Sequence, residues 1–328
     1  MLLTKQRLVL KFRLVYATLN IFMANQDIKI EPLSLRGMSG RILSAKGPAH
    51  GSQILLVYGI HSSMERMRST AEWLADYGHV IMPDLPGLGG MDSFYSVGLE
   101  PTLDNYADYL YTFLSMRKPA KPMAVVAMSF GFLVVTRMLQ KYPDSKEWIR
   151  DVISFVGFGS SADFKAYSSP LNIIVSRMFS TRFGGWFAKT FIFNPLSLRV
   201  MFAIFRKFNP KYKHAMETDA TSSQAMELNL WQVNDARTRF ALYVLLLSFD
   251  LTNHAEPIEV PLHDVATPSD QYFDRQRVTI SLKKLYHRVG SSPANLKLHA
   301  PSIIGDKYDV DAIFSGEVKK ILRGLRQV

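Results

Sequence analysis

Met123-Ala124-Val125-Val126-Ala127-Met128-Ser129-Phe130-Gly131 decides how this chain is read. The apolar run from Met123 to Met128 has the character of a strand buried on both faces. Residues 130–142 then read as a helix. Between them stands Ser129, with a small residue two before it (Ala127) and two after it (Gly131). Small residues at those positions allow a sharp strand-to-helix turn. Such a turn lifts the hydroxyl off the sheet and holds it strained and exposed, and the helix points its positive end at the same place. A bare small-x-Ser-x-small pattern is common by chance, and a buried turn serine is the plain alternative. The strand before and the helix after make Ser129 the candidate nucleophile.

Working outward, the same alternation recurs. Residues 53–58 form a second continuous apolar run, stopped by Gly59, and residues 80–82 a third, stopped by Pro83-Asp84-Leu85-Pro86-Gly87. Residues 69–77 and 102–116 read as helices, and 152–156 as a strand closed by Gly157. Residues 28–44, with Gly37 and Gly40, read as an opening hairpin. Strands alternating with helices predict an α/β fold, a mostly parallel sheet flanked by helices and joined by right-handed crossovers. The alternation pauses between about Phe164 and Pro257 in helices rich in Phe, Met and Arg. It resumes with a strand at 258–265, a helix at 278–289, a strand at 296–298 and a helix at 316–325. The expected organisation is an N-terminal basic and apolar helix over 1–26, a core over 27–163 and 257–328, and a helical lid over 164–256.

The segment Tyr58-Gly59-Ile60-His61-Ser62-Ser63 follows the strand at 53–58. A glycine turn there lets a backbone N–H approach a substrate. The N–H groups of Ile60 and Phe130 are the expected oxyanion donors, and losing one such donor costs roughly 3 kcal/mol of transition-state stabilisation. Gly59, His61 and Met128 are candidates for the substrate pocket. His61 reads as a residue that shapes the loop or touches substrate, with a role as base the minor alternative.

Together these motifs resemble the α/β-hydrolase family. Tyr58-Gly59 stands where that family commonly has His-Gly, and Asp84-Leu85-Pro86-Gly87-Leu88-Gly89-Gly90-Met91-Asp92-Ser93 follows its Asp-x-Pro-Gly-x-Gly-x-Ser loop with Gly90-Met91-Asp92 as a departure. Ala127 replaces the usual first glycine of the elbow, where smallness is the requirement. The resemblance covers roughly residues 28–325 and implies the chain order nucleophile, acid, base. In that order Asp270 fits as the acid, in the loop after the strand at 258–265, with Asp274 and Asp163 as alternatives. His299 falls at the base position, just after residues 296–298, while His287 lies within the helix read at 278–289. If the register is anchored on the last helix instead, Asp306 takes the base position and the chain is an inactive relative. The implied chemistry is acyl transfer to water through a Ser-His-Asp triad, on carboxylic esters with an apolar acyl part. Peptidase, thioesterase, C–C hydrolase and acyltransferase activities stay open, as does a non-catalytic binding module that uses the same pocket.

Composition sets the remaining bounds. The chain has 328 residues, 48% of them hydrophobic and 20% charged, which is the balance of a globular protein. It has no cysteine, which excludes disulfides and thiolate metal sites. Neither a His-Glu-x-x-His metal motif nor a Walker loop is present, so no metal and no cofactor are expected. The formal net charge of +11 draws anions. No nucleic-acid motif accompanies it. The expected partners are a small-molecule ester or lipid and an anionic membrane surface, with no nucleic acid. Residues 164–208 carry Lys165, Arg177, Arg182, Lys189, Arg199, Arg206 and Lys207 among Phe, Met, Leu and Trp186. Those apolar residues read first as lid core, and second as an acyl-binding wall with a basic rim. At the N-terminus Lys5, Arg7, Lys11 and Arg13 precede an uncharged run over 14–26, shorter than the roughly 20 apolar residues that cross a bilayer. A packed helix, a membrane-surface segment and a signal peptide are its three readings. The corresponding location is cytoplasmic or peripheral to a membrane.

Overall fold

The computed structural model describes residues 28–165, 170–208, 226, 228–253, 256–266, 270, 272–293, 307–314 and 316–324. The expected helix over 1–26, the strand at 296–298, and residues His299 and Asp306 lie outside them.

Eight strands form one sheet: β1 (Ile28–Leu35), β2 (Met38–Ala45), β3 (Gln53–Val57), β4 (His79–Pro83), β5 (Met123–Met128), β6 (Ile149–Phe155), β7 (Leu262–Ala266) and β8 (Val289–Pro293). Their order is β1-β2-β4-β3-β5-β6-β7-β8. The β1–β2 and β2–β4 pairs are antiparallel and all other pairs parallel. Arg36 and Gly37 join β1 to β2 with φ of 53° and 78°. Positive φ at both turn residues gives the two-residue hairpin whose twist matches its strands. Strands β3 and β5 are buried at all but one end position each, which is why they read as unbroken apolar runs.

The helices are α1 (Met64–Ala75), α2 (Leu103–Arg117), α3 (Phe130–Lys141), α4 (Pro170–Phe179), α5 (Arg182–Phe187), α6 (Pro195–Phe208), α7 (Ala236–Leu246), α8 (Arg275–Leu285), α9 (Lys307–Ile313) and α10 (Gly316–Gly324). From β3 the chain steps one way to β4, and from β4 it steps back past β3 to β5. With right-handed crossovers, opposite steps put α1 and α2 on opposite faces. Accordingly α1 packs with α9 and α2 with α3. One hydrophobic core spans the sheet and these helices. A second, smaller one, around Phe179, Phe193, Leu198 and Phe240, lies among the helices inserted between β6 and β7.

Several boundaries differ from those read in the sequence. Helix α1 starts at Met64, five residues earlier than expected, because Ser63 caps it: its Oγ accepts from the Arg66 N–H at 3.4 Å. Polar residues between Met64, Met67 and Ala71 masked that apolar face. The strand expected at 258–265 is the shorter β7, with Ile258 contributing only an isolated bridge to Tyr286. The helix expected at 278–289 is α8, ending at Leu285. Residues 289–293 instead form β8, paired along β7 from Leu262–Val289 to Ala266–Pro293. Gly290 and two serines hide that strand, since edge position and not apolar content defines it. His287 therefore follows the helix, and it is exposed. Between the strand expected at 296–298 and the helix expected at 316–325 stands a further helix, α9.

Candidate active site

The chain leaves β3 and β5, neighbours in the sheet, toward opposite faces, which opens a crevice beyond their carboxyl ends. Gly59 and Ile60 follow β3, and Ser129 follows β5. Asp270 follows β7, two strands further along. All three candidate positions thus share one edge of the sheet.

Ser129 has φ 51° and ψ −118°, a region that side chains rarely occupy. Its backbone N–H bonds to the Phe155 carbonyl at 3.0 Å, so the neighbouring strand holds the turn in place. A Cβ on Gly131 would sit 2.4 Å from the Val57 carbonyl oxygen and 2.7 Å from that of Tyr58. Only glycine lets α3 start this close to β3. On the other side, a Cβ on Gly59 would lie 3.2 Å from Ser129 Cβ and 3.6 Å from its Oγ. The serine side chain therefore faces the Gly59–Ile60 turn with little room to spare. The Phe130 N–H is the first of helix α3 and has no acceptor within the helix. Val156, at the end of β6, also has positive φ, 59°. For a β-branched residue this is a true outlier, and its N–H bonds to the Val265 carbonyl at 3.1 Å. Two of the four non-glycine residues with positive φ among the described residues thus stand where β5 and β6 end.

Below the loop at residues 84–90 lies a buried charge cluster that no sequence spacing announces. Arg41 from β2 reaches Asp84 (Nε–Oδ2 2.9 Å), Glu65 of α1 (Nη1–Oε1 2.6 Å) and the Gly89 carbonyl. Tyr58 donates its hydroxyl to Asp84 Oδ1 at 2.9 Å and accepts from the Leu85 N–H at 3.0 Å. This accounts for the tyrosine that replaces the expected histidine. A Cβ at Gly89, whose φ is 63°, would meet Asp84 Oδ1 and Tyr58 Oη within 2.5 Å, so the loop closes over the cluster only with glycine there. Burial works to raise the Glu65 carboxyl, yet the Arg41 guanidinium holds it below its ordinary value. At Asp84 burial outweighs Arg41, and the carboxyl is pushed up to about 7.

The acids sort by what they already bond. Asp163 is 1% exposed and accepts from Gly159 N–H (2.7 Å), Ser160 N–H (3.1 Å) and Ser281 Oγ (2.7 Å). Asp274 caps α8 by accepting from the N–H groups of Gln276 and Arg277. Both are occupied by local structure. Asp270 is 7% exposed, and its Oδ1 accepts from the N–H groups of Tyr272 (2.7 Å) and Phe273 (3.0 Å), a turn that fixes the carboxylate. Lys165 Nζ donates to its backbone carbonyl at 2.5 Å. Among the described residues no group of three His, Asp or Glu could hold a metal ion.

The inserted helices rest on this edge. Gly89 N–H donates to Asn234 Oδ1 at 2.7 Å, and Asp235 N–H donates to the Gly87 carbonyl at 2.8 Å. The Trp231 ring lies 5.7 Å from that of His61, and Phe193 stacks on Trp231 at 4.3 Å. His61 is thus half-buried between the turn after β3 and an aromatic layer of the insertion. Met128, the last residue of β5, is half-buried beside Ser129.

The family model described as serine aminopeptidase, S33, matches residues 48–301. No curated protein matches the chain. Many solved structures share its fold. N-formylmaleamic acid deformylase from Pseudomonas putida S16 is 16% identical, with TM-score 0.61, over 87% of this chain and 100% of that one. A proposed lipase, lip1, from Acinetobacter baumannii AYE is 16% identical, with TM-score 0.60, over 90% and 92%. The N-acyl homoserine lactonase AidH is 17% identical, with TM-score 0.61, over 92% and 98%. At such identities the likeness is one of fold.

Proposed function

The chain belongs to the serine aminopeptidase, S33, family of α/β hydrolases, and on that premise we propose that it is a serine hydrolase cleaving carboxylic esters with an apolar acyl part. One observation carries this reading above the rest. Ser129 is held at φ 51° at the head of α3, against Gly59 and beside the Gly131 contact that only glycine permits. Strain of this kind is kept where it serves chemistry. In the proposed reaction Ser129 Oγ attacks the acyl carbonyl carbon while the His299 imidazole takes its proton. The carbonyl oxygen gathers the negative charge and is met by the N–H groups of Ile60 and Phe130. The C–O bond to the leaving group then breaks, with His299 returning the proton to the departing oxygen. Water repeats the sequence on the acyl-serine and releases the acid. Asp270, with Oδ1 committed to its own turn, receives the second imidazole N–H through Oδ2.

The structural neighbours named as deformylase, lipase and lactonase support a hydrolytic reading of the same fold here. The aromatic layer of Trp231 and Phe193 next to His61 favours an apolar acyl chain, with the inserted helices acting as the lid. The test is hydrolysis of p-nitrophenyl esters of graded chain length. We expect turnover to rise with chain length, and Ser129→Ala to lower it by several orders of magnitude with circular dichroism unchanged. A variant keeping more than about a tenth of wild-type activity would assign the chemistry to another group.

A further inference from the structure

The inserted helices carry an outward face that the hydrolase core does not explain. Of the thirteen large apolar side chains left exposed among the described residues, nine fall within residues 174–204. Phe183, Trp186, Phe187 and Phe191 are 39–73% exposed, and their rings touch one another at 5.1–6.5 Å. In α6, Leu198 is buried, whereas Leu196, Val200 and Ile204 are 53–73% exposed at four-residue spacing along the opposite side. A helix apolar on both sides is built to be covered on both. Isolated exposed hydrophobes need no explanation, but a contiguous set does.

Charge identifies the cover. Over residues 164–216 the sequence has nine Lys or Arg and no Asp or Glu. Arg177, Arg182, Lys189 and Arg199 are exposed on the same stretch of chain, and among the described residues none pairs with a carboxylate. A second copy docked on this face would bring like charges together across a two-fold axis. Residues 1–26, with four basic and no acidic residues, would be repelled in the same way. An anionic bilayer satisfies both features, since aromatic rings settle at the headgroup level and Lys and Arg meet the lipid charge. We propose that the α4–α6 face docks this protein on anionic lipid bilayers.

The test mixes the full chain with large vesicles of phosphatidylcholine, alone or with an equal part of phosphatidylglycerol, and sediments them. We expect binding to the anionic vesicles, little to the neutral ones, and loss of binding as salt rises. Replacing Phe183 and Trp186 by serine should lower partitioning about tenfold or more for each ring. The pair Arg182→Glu and Lys189→Glu should weaken binding and flatten its salt dependence. Thermal unfolding serves as the folding control, and if the serine pair does not fold, the glutamate pair decides. Docking here does not require Ser129 to be a nucleophile, so Ser129→Ala protein should bind as wild type does. Failure to bind anionic vesicles, or both pairs binding as tightly as wild type, would overturn the proposal. So would self-association, seen by sedimentation velocity, that the serine pair abolishes, for that would give the face to a second copy.

Discussion

Ser129, the proposed nucleophile, is also a strained residue of this fold. Its φ of 51° with ψ −118° is unfavourable for any side chain, by roughly 1–3 kcal/mol. Glycine reaches the same angles freely, because they mirror an ordinary extended conformation. Ser129→Gly should therefore unfold at higher urea than Ser129→Ala, by about 1 kcal/mol after glycine's greater unfolded-state entropy is subtracted. Equal midpoints would mean that the turn is not strained. This serine was legible in the sequence because its signal is local: a strand, a small residue on either side, and a helix. Asp270 needed the family's chain order, since nothing local distinguishes it from Asp274 or Asp163. The hydrogen bonds set Asp163 apart, enclosed by three donors, whereas Asp270 and Asp274 each accept two backbone N–H bonds on Oδ1.

Elements were legible where both faces are buried and obscure where they are not. Strand β5 matches its apolar run to the residue, while of the edge strand β8 only Val289 falls in a predicted element, the helix at 278–289, and Gly290 with its two serines carries no strand signal. The charge cluster had no signal at all, because Arg41, Tyr58, Glu65 and Asp84 come from β2, the end of β3, α1 and the end of β4. It makes a sharp prediction about pH. Two carboxylates beside one guanidinium leave an excess negative charge, and the buried Asp84 carboxyl, pushed up to about 7, keeps a proton that removes it. In the unfolded chain the same carboxyl loses its proton near its ordinary value of 3.8. Its stabilising contribution is therefore complete below about 3.8 and lost as pH rises through about 7. Asp84→Asn cannot titrate. The unfolding free energy of the variant, relative to wild type, should rise between about pH 4 and pH 7, as followed by urea denaturation. A constant difference across that range would mean that Asp84 is ionised in the folded protein.

At the scale of the whole molecule the sheet order does the positioning. Placing β3 between β4 and β5 opens the crevice where Gly59 and Ser129 meet, and two further parallel strands bring the Asp270 loop to the same edge. The sequence showed the alternation and the pause at the insertion, but not how the insertion attaches. Part of that attachment is two single hydrogen bonds, Gly89 N–H to Asn234 Oδ1 and Asp235 N–H to the Gly87 carbonyl, between residues about 145 positions apart, which no periodicity encodes. The central claim is that this architecture makes Ser129 a nucleophile. Its most direct test is to treat the folded protein with a fluorophosphonate and locate the adduct by peptide mass spectrometry. Our account predicts a stoichiometric adduct on Ser129, absent from Ser129→Ala and blocked by prior incubation with an ester substrate. Folded protein that takes up no label, or takes it up on any other residue, would contradict it.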